Sequence, residues 1–358
     1  MFRLKKKPGV AEVSARSGAE NFSEMRKAAL MAALFLILFA LAAVTIVMGA
    51  YNISIQEAYT ILITHLAGGD VSSLNKLHNT IVWNIRLPRI LLAITVGIAL
   101  AASGAVYQGC FRNPLVEPYI LGVSAGAAFG AALGIVYPHI FLSVQFSAFL
   151  FASLAVFLAY MLARNRGETP VVTLILAGVI MGSIFTACVS IMKYMSTDNQ
   201  LREITFWMMG GFYYATWKDI LIIPAILAAF FIVWFYSWKL NILSMGDEEA
   251  KGLGVNPEKY KLIFVVLATF MTAISVSAVG IVAWVGLMMP HAARMLLGPD
   301  NRFVIPTAAL MGGIYIIFCD TIARTFTSAE IPVGIVTSII GAPYLIYLLR
   351  SKGKEIFG

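Results

Sequence analysis

Ten stretches of apolar residues, most of them close to twenty residues long, make up the greater part of this chain. They fall at about 28–48, 88–108, 119–136, 144–163, 171–192, 217–238, 260–280, 282–296, 304–325 and 333–350. A helix rises 1.5 Å per residue, so about twenty apolar residues cross the ~30 Å hydrocarbon core of a bilayer. With no water there to satisfy the backbone, such runs bond to themselves as helices. Of the 358 residues 60% are hydrophobic and 12% charged. That charged share is about half the ~25% of a soluble domain, too little to cover the apolar surface with a wettable exterior. Disorder is excluded by the same numbers, and collagen-like, disulfide-scaffold and nucleic-acid-binding classes fit badly. The sequence predicts an all-α, polytopic membrane protein with about ten transmembrane helices.

Residues 1–27 are polar and basic, with Lys5, Lys6 and Lys7 in a row. The run that follows is too long for a signal-peptide core, so it reads as an uncleaved first helix with its N-terminus in the cytoplasm. The membrane domain then covers 28–350, and ten crossings return the short tail 351–358 to the same side. Most of the 26 Lys and Arg lie in the segments this topology puts inside, as the positive-inside rule requires. The net charge of +8 thus belongs to cytoplasmic loops. Cys110, Cys188 and Cys319 each sit alone in an apolar run and read as small buried hydrophobes.

Two polar segments interrupt the pattern. Tyr51–Ile85 lies outside in this topology and contains a helix-like stretch, Ile55–Leu66. Leu240–Lys259 lies inside and reads LNILSMGDEEAKGLGVNPEK. There Ser244 is a candidate N-cap for a short helix that Gly252 and Gly254 would end and Pro257 would follow. It is either an ordinary polar loop or a docking surface for a cytoplasmic partner.

No P-loop, HExxH or CxxC motif occurs, and His65, His78, His139 and His291 are scattered. Transport or scaffolding is therefore favoured over catalysis. Gly122, Gly126, Gly130 and Gly134 form a small-residue stripe that lets another helix approach closely. The run Leu174–Met192 carries Gly178, Gly182, Ser183, Thr186 and Ser190, a helix able to line a wide, weakly binding path. Arg86 and Arg89 bracket Pro88 at the outer start of the second run, and Arg324 follows Asp320 by one turn at the outer end of the ninth. They either snorkel or pair locally, or form a basic rim for an acidic partner. Ionisable groups deep in the runs are scarce, which counts against an ion-coupled carrier. A secondary transporter and an intramembrane enzyme are the rival readings.

Several blocks together resemble the FecCD-type permeases. These are RLPRILLAITVGIALAASGAVYQGCFRNPLVEPYILGVSAGAAFGA (Arg86–Ala131), GDEEAKGLGVN (Gly246–Asn256), VGIVAWVGLMMPHAARMLLGPDNR (Val279–Arg302), DTIAR (Asp320–Arg324) and EIPVGIVTSIIGAPYLIYLL (Glu330–Leu349). Ala283-Trp284 and Val116 depart from the usual pattern. The resemblance implies the type II ABC importer permease fold in a prokaryotic cytoplasmic (inner) membrane, crossed many times, with both termini cytoplasmic. It implies a dimer, usually a homodimer, driven by two cytoplasmic ATPase subunits and fed by an extracytoplasmic substrate-binding protein. The cargo would be an iron-siderophore, haem or cobalamin. ATP and Mg would be held by the partner subunit, with no cofactor on this chain. By the same likeness, Gly246, Asp247, Glu248, Glu249, Ala250, Leu253, Gly254 and Val255 would couple to the ATPase. Arg86, Arg89 and Arg324 would dock the binding protein, and Leu174, Gly178, Gly182, Thr186 and Ser190 would line the path.

Overall fold

A single buried helix, α4, runs down the middle of the computed structural model, which describes residues 10–140, 143–327 and 329–356, with side chains from residue 24 onward apart from 348–349 and those beyond 350. In chain order the helices are α1 Val10–Val47, α2 Ile55–Leu66, α3 Lys76–Asn79 and, after a π-helical turn at Thr80–Arg86, α4 Leu87–Phe111. Next come α5 Val123–Val136, α6 Val144–Ala163, α7 Val171–Met195, α8 Asp198–Met209, α9 Ile223–Phe235 and α10 Ser237–Leu243. The chain closes with α11 Asp247–Gly252, α12 Pro257–Val279, α13 Val285–Leu297, α14 Asn301–Thr325 and α15 Val333–Ile356.

All ten apolar runs are helices: α1, α4 to α7, α9 and α12 to α15. By length and composition, 6 helices among the described residues suffice to cross a membrane alone, and 7 if the pair Asp219–Phe235 and Ser237–Leu243, bent by 55°, counts as one span. Of the others, α5 and α13 are shorter, and the backbone shows why for α13. Gly280 (φ 74°) ends α12 and Trp284 (φ 74°) opens α13. This break leaves α13 with 13 residues, or about 20 Å.

Two boundaries differ from expectation. The first helix begins at Val10, inside the stretch read as a tail, whereas Lys5, Lys6 and Lys7 lie outside the described residues. The last helix runs on to Ile356, past Arg350. The Ile55–Leu66 stretch is helical with the expected bounds. An amphipathic helix, α8, was not anticipated.

Glycine sets the packing around α4, which lies chiefly against α14, α12 and α13. A Cβ on Gly97 would fall on the Gly312 carbonyl, and one on Gly104 would fall on the Gly286 carbonyl. Two pairs of backbones thus meet directly, as lipid-embedded helices do where small residues let van der Waals packing replace hydrophobic drive. The α5 stripe acts in the same way. Gly126 faces the Phe151 carbonyl and Gly130 the Ser147 carbonyl, both on α6. Gly122 differs: its φ of 82° places it before the helix, as the residue that turns the chain into α5. Buried polar groups on these helices bond across the bundle, for example Tyr107 to Thr269 at 2.7 Å and Ser103 Oγ to the Ala268 carbonyl at 3.1 Å.

Helix α4 therefore joins two ends of the molecule. One carries Arg86 and Arg89, and the other carries Arg112 beside α10 and α11. Gly104→Ala should lower the unfolding midpoint in detergent, at a cost of about 1–3 kcal/mol for overpacking. Gly182→Ala should change it little, because only the Gly122 Cα lies near the added methyl, at 3.8 Å. Differential scanning of the two variants side by side checks this.

Candidate functional site

The acidic segment forms a compact ledge at the Arg112 end. Sequence reasoning placed the N-cap of its helix at Ser244, and the structure corrects this: Ser244 is the C-cap of α10, and Gly246, at φ 144°, caps α11. Helix α10 uses up the residues before Ser244, so only a glycine can make the reversal into α11. Ala250 and Val255 are buried and anchor the ledge, while Glu248, Glu249, Leu253 and Gly254 are exposed. The Glu249 side chain folds back over Gly246.

Asp247 ties this ledge to the core. Its carboxylate accepts from Lys261 Nζ at 2.6 Å, on α12, and lies 3.4 Å from Arg112 Nη2, just past the end of α4. Lys261 also bonds Glu258 at 3.2 Å. Lys251 bonds Glu248 at 3.1 Å and lies 3.7 Å from Glu168, in the turn between α6 and α7. The hydrogen bond and charge of Glu248 raise the Lys251 pKa above its ordinary value. One exposed acidic face is thus mechanically linked to α4, α12 and the α6–α7 turn.

At the opposite end, Arg86, Arg89 and Arg324 come together, but as a buried cluster and not as the exposed rim the sequence suggested. Each residue is only 4% exposed. Arg86 donates to the carbonyls of Ile46 (3.0 Å), Val47 (2.8 Å) and Tyr51 (2.5 Å). Arg324 donates to those of Thr45 (2.6 Å) and Met48 (2.8 Å). A helix C-terminus leaves its last carbonyls without partners, and these two guanidinium groups supply them for α1. Arg89 grips Asp320 through Nε at 3.0 and 3.1 Å and Nη2 at 2.9 Å, and reaches Glu330 through Nη1 at 2.9 Å. The anticipated Asp320–Arg324 pair is present at 3.7 Å, as the weaker of the two contacts Asp320 makes. Three cations face two carboxylates, an excess of positive charge just below the surface.

The residues expected along a path divide. Leu174 and Gly178 are buried, and a Cβ on Gly178 would meet the backbone of Ile120 and Leu121. Gly178 is therefore consumed by packing against the entry to α5, and Leu174 by burial in the core. Gly182 is half-buried. Thr186 and Ser190 lie on the exposed face of α7, with hydroxyls bonded back to Gly182 (2.8 Å) and Thr186 (3.0 Å). Near the arginine cluster a cavity of about 500 Å³ opens between α8, the 211–215 loop and the ends of α5, α6 and α12. Gln145, Arg202, Glu203, Trp207, Tyr213 and Tyr214 are among its lining residues. Sequence reading missed α8, although its start carries a capping box: Thr197 and Gln200 satisfy one another's ends of the first turn.

Comparison with known proteins adds three likenesses. Residues 33–351 match the FecCD transport family. The chain is 41% identical over 274 residues to the cobalamin import system permease protein of Halobacterium salinarum, covering 76% of this chain and 74% of that one. It is 35% identical over 328 residues to the molybdate import system permease protein of Haemophilus influenzae, covering 90% and 96%. Its fold superposes on a metal-chelate type ABC transporter solved in an inward-facing conformation, with a TM-score of 0.80 and 34% identity over 90% of this chain and 98% of the other.

Burial decides what the charged clusters contribute to stability. Asp320→Asn should destabilise the chain by about 3–5 kcal/mol, because it leaves the buried Arg89 with only the partly exposed Glu330 as counter-charge. Arg302→Ala, which removes a half-exposed pair with Asp300, should cost no more than about 1 kcal/mol. Denaturant titration of both variants in micelles reads the difference.

Proposed function

Because the chain belongs to the FecCD transport family, we propose that two identical copies of it form the gate of an importer for a bulky metal chelate. The chain is a membrane-embedded permease subunit of an ABC importer, a transporter component and not an enzyme. It works with the other components of such a system. In this reading two ATPase subunits, holding ATP and Mg, sit against the α11 ledge in the cytoplasm, where both termini also lie. A substrate-binding protein docks at the end that carries Arg86, Arg89 and Arg324, and hands its cargo to the path between the copies. The exposed face of α7 around Gly182, Thr186 and Ser190 lines that path. The cargo belongs to the iron-siderophore, haem or cobalamin class.

The observation that carries this reading is the attachment of α11. Asp247 bonds at once to Lys261 of α12 and to Arg112 at the end of α4, so force applied to the exposed acidic face passes into the central buried helix and into α12, which packs against it. Ala250 and Val255 keep the ledge from sliding on its own. Movement of α4 then alters the balance between states open to either side, as alternating access requires. The hydroxylic face of α7 offers no strong ligand. That suits a path whose specificity is set upstream, since tight binding would slow release.

Reconstitution tests the proposal. In proteoliposomes, uptake should need ATP, the ATPase subunits and the binding protein together, added one at a time. Solute moved by the isolated chain down a sodium or proton gradient would overturn it. Molybdate as the only transported solute would reassign the cargo and leave the gate intact. Asp247→Asn should keep the complex assembled and hydrolysing ATP while uptake falls about tenfold. Glu248→Lys should weaken ATPase-subunit binding, measured as a raised Kd.

A further inference from the structure

Glu330 is held differently from the other carboxylate of the arginine cluster. Asp320 lies within a helix, and its side chain is 2% exposed. Glu330 lies in the loop between α14 and α15 with its side chain 39% exposed, opposite an Arg89 side chain that is 5% exposed. Its backbone φ is 36°, a left-handed conformation that a residue with a Cβ adopts only under constraint. In that conformation Oε2 sits 2.9 Å from Arg89 Nη1. A pair with one exposed member is a weak bond. The cation behind it is nevertheless buried, and any carboxylate taking this position inherits the same short contact.

The Glu330 loop also connects to the wall of the 500 Å³ cavity. Four residues on, the Gly334 N–H points at the Gly210 carbonyl at 3.5 Å, and a Cβ on Gly334 would strike the Met209 carbonyl. Gly210 (φ 67°) ends α8, and Gly211 N–H bonds the Val279 carbonyl at 2.8 Å. Tyr213, on the cavity wall, lies within electrostatic reach of both Arg89 and Glu330. The start of α15, the end of α8 and the end of α12 thus meet through backbones alone, within one short loop of the Arg89–Glu330 bond.

We propose that Glu330 is a built-in place-holder, a carboxylate that occupies Arg89 until an acidic side chain of a docking protein partner displaces it. Displacement lets the loop leave its left-handed conformation and loosens the Gly334–Gly210 contact that closes the cavity wall. Three cations against two carboxylates supply the attraction for an incoming acid, and the exposed flank of Glu330 is the point of entry. The exchange rests on the reading above only for the identity of that partner.

The test uses the full chain in nanodiscs with hexaglutamate as the probe and hexalysine as its control. Hexaglutamate should bind in a salt-sensitive way, and amide hydrogen exchange should rise at Glu330–Gly334 and at Gly210–Gly211. Glu330→Gln should bind hexaglutamate about three- to tenfold more tightly than the parent and show the raised exchange without any peptide. Glu330→Gly, which removes the acid and the backbone constraint together, should behave as Glu330→Gln does and serves in its place if the latter fails to fold. Equal or weaker binding by both variants, or binding that leaves exchange at Gly210–Gly211 unchanged, would overturn the proposal. ATP-driven uptake is scored separately in liposomes, so loss of the gate reading and loss of the place-holder give different results.

Discussion

Direct backbone contact along α4 is the constraint on which the rest of the molecule depends. At Gly97–Gly312 and Gly104–Gly286 there is no side chain between the helices, so their separation is fixed by the peptide groups themselves. In lipid nothing equivalent to hydrophobic burial holds helices together, and such contacts supply the attraction. A helix gripped in this way moves as a unit with its neighbours. It therefore carries a displacement between Arg112 at one end and Arg89 at the other, along a helix of 25 residues or about 37 Å.

The charged residues follow the same logic from both ends. At each end of α4 an arginine meets an aspartate that a second cation also holds: Arg112 and Lys261 on Asp247, Arg89 and Arg324 on Asp320. The two assemblies differ in exposure. Asp247 is partly open to solvent and stands on a short ledge of about one and a half turns, whereas Asp320 is sealed inside a long helix. The first suits a joint that must yield to a partner. The second suits a fixed point against which the joint works.

Much of this was legible in the sequence, for reasons that can be named. Apolar runs report directly on lipid, so all ten were read as helices, and the start of α12 followed from the helix-initiating Pro257. The acidic ledge was visible because Asp247, Glu248 and Glu249 stand out in an apolar chain. What escaped was whatever depends on a distant partner. Nothing near Arg89 in the chain indicates that Asp320, 231 residues away, will enclose it, so the sequence offered snorkelling, a local pair or a basic rim, and not a buried clamp. Leu174 and Gly178 looked like path residues because small side chains serve packing and passage equally well. Only the position of Ile120 and Leu121 tells the two apart. Helix α8 escaped because its polar face hid it from a search for apolar runs.

The bonds from Arg86 and Arg324 to the end of α1 bear on how the chain is made. Thr45 and Met48 emerge from the ribosome early, yet the guanidinium that satisfies their carbonyls arrives 279 and 276 residues later. Arg86, 40 and 39 residues on, can meet the Ile46 and Val47 carbonyls early. Through most of synthesis, however, the first segment lacks the partner that Thr45 and Met48 have in the finished fold, and is held at this end by Arg86 alone. Its docking onto α14 becomes final only when translation is nearly over. A ribosome that stalls before α14 would leave a recognisably unfinished product, with its first segment half-secured and open to membrane proteases.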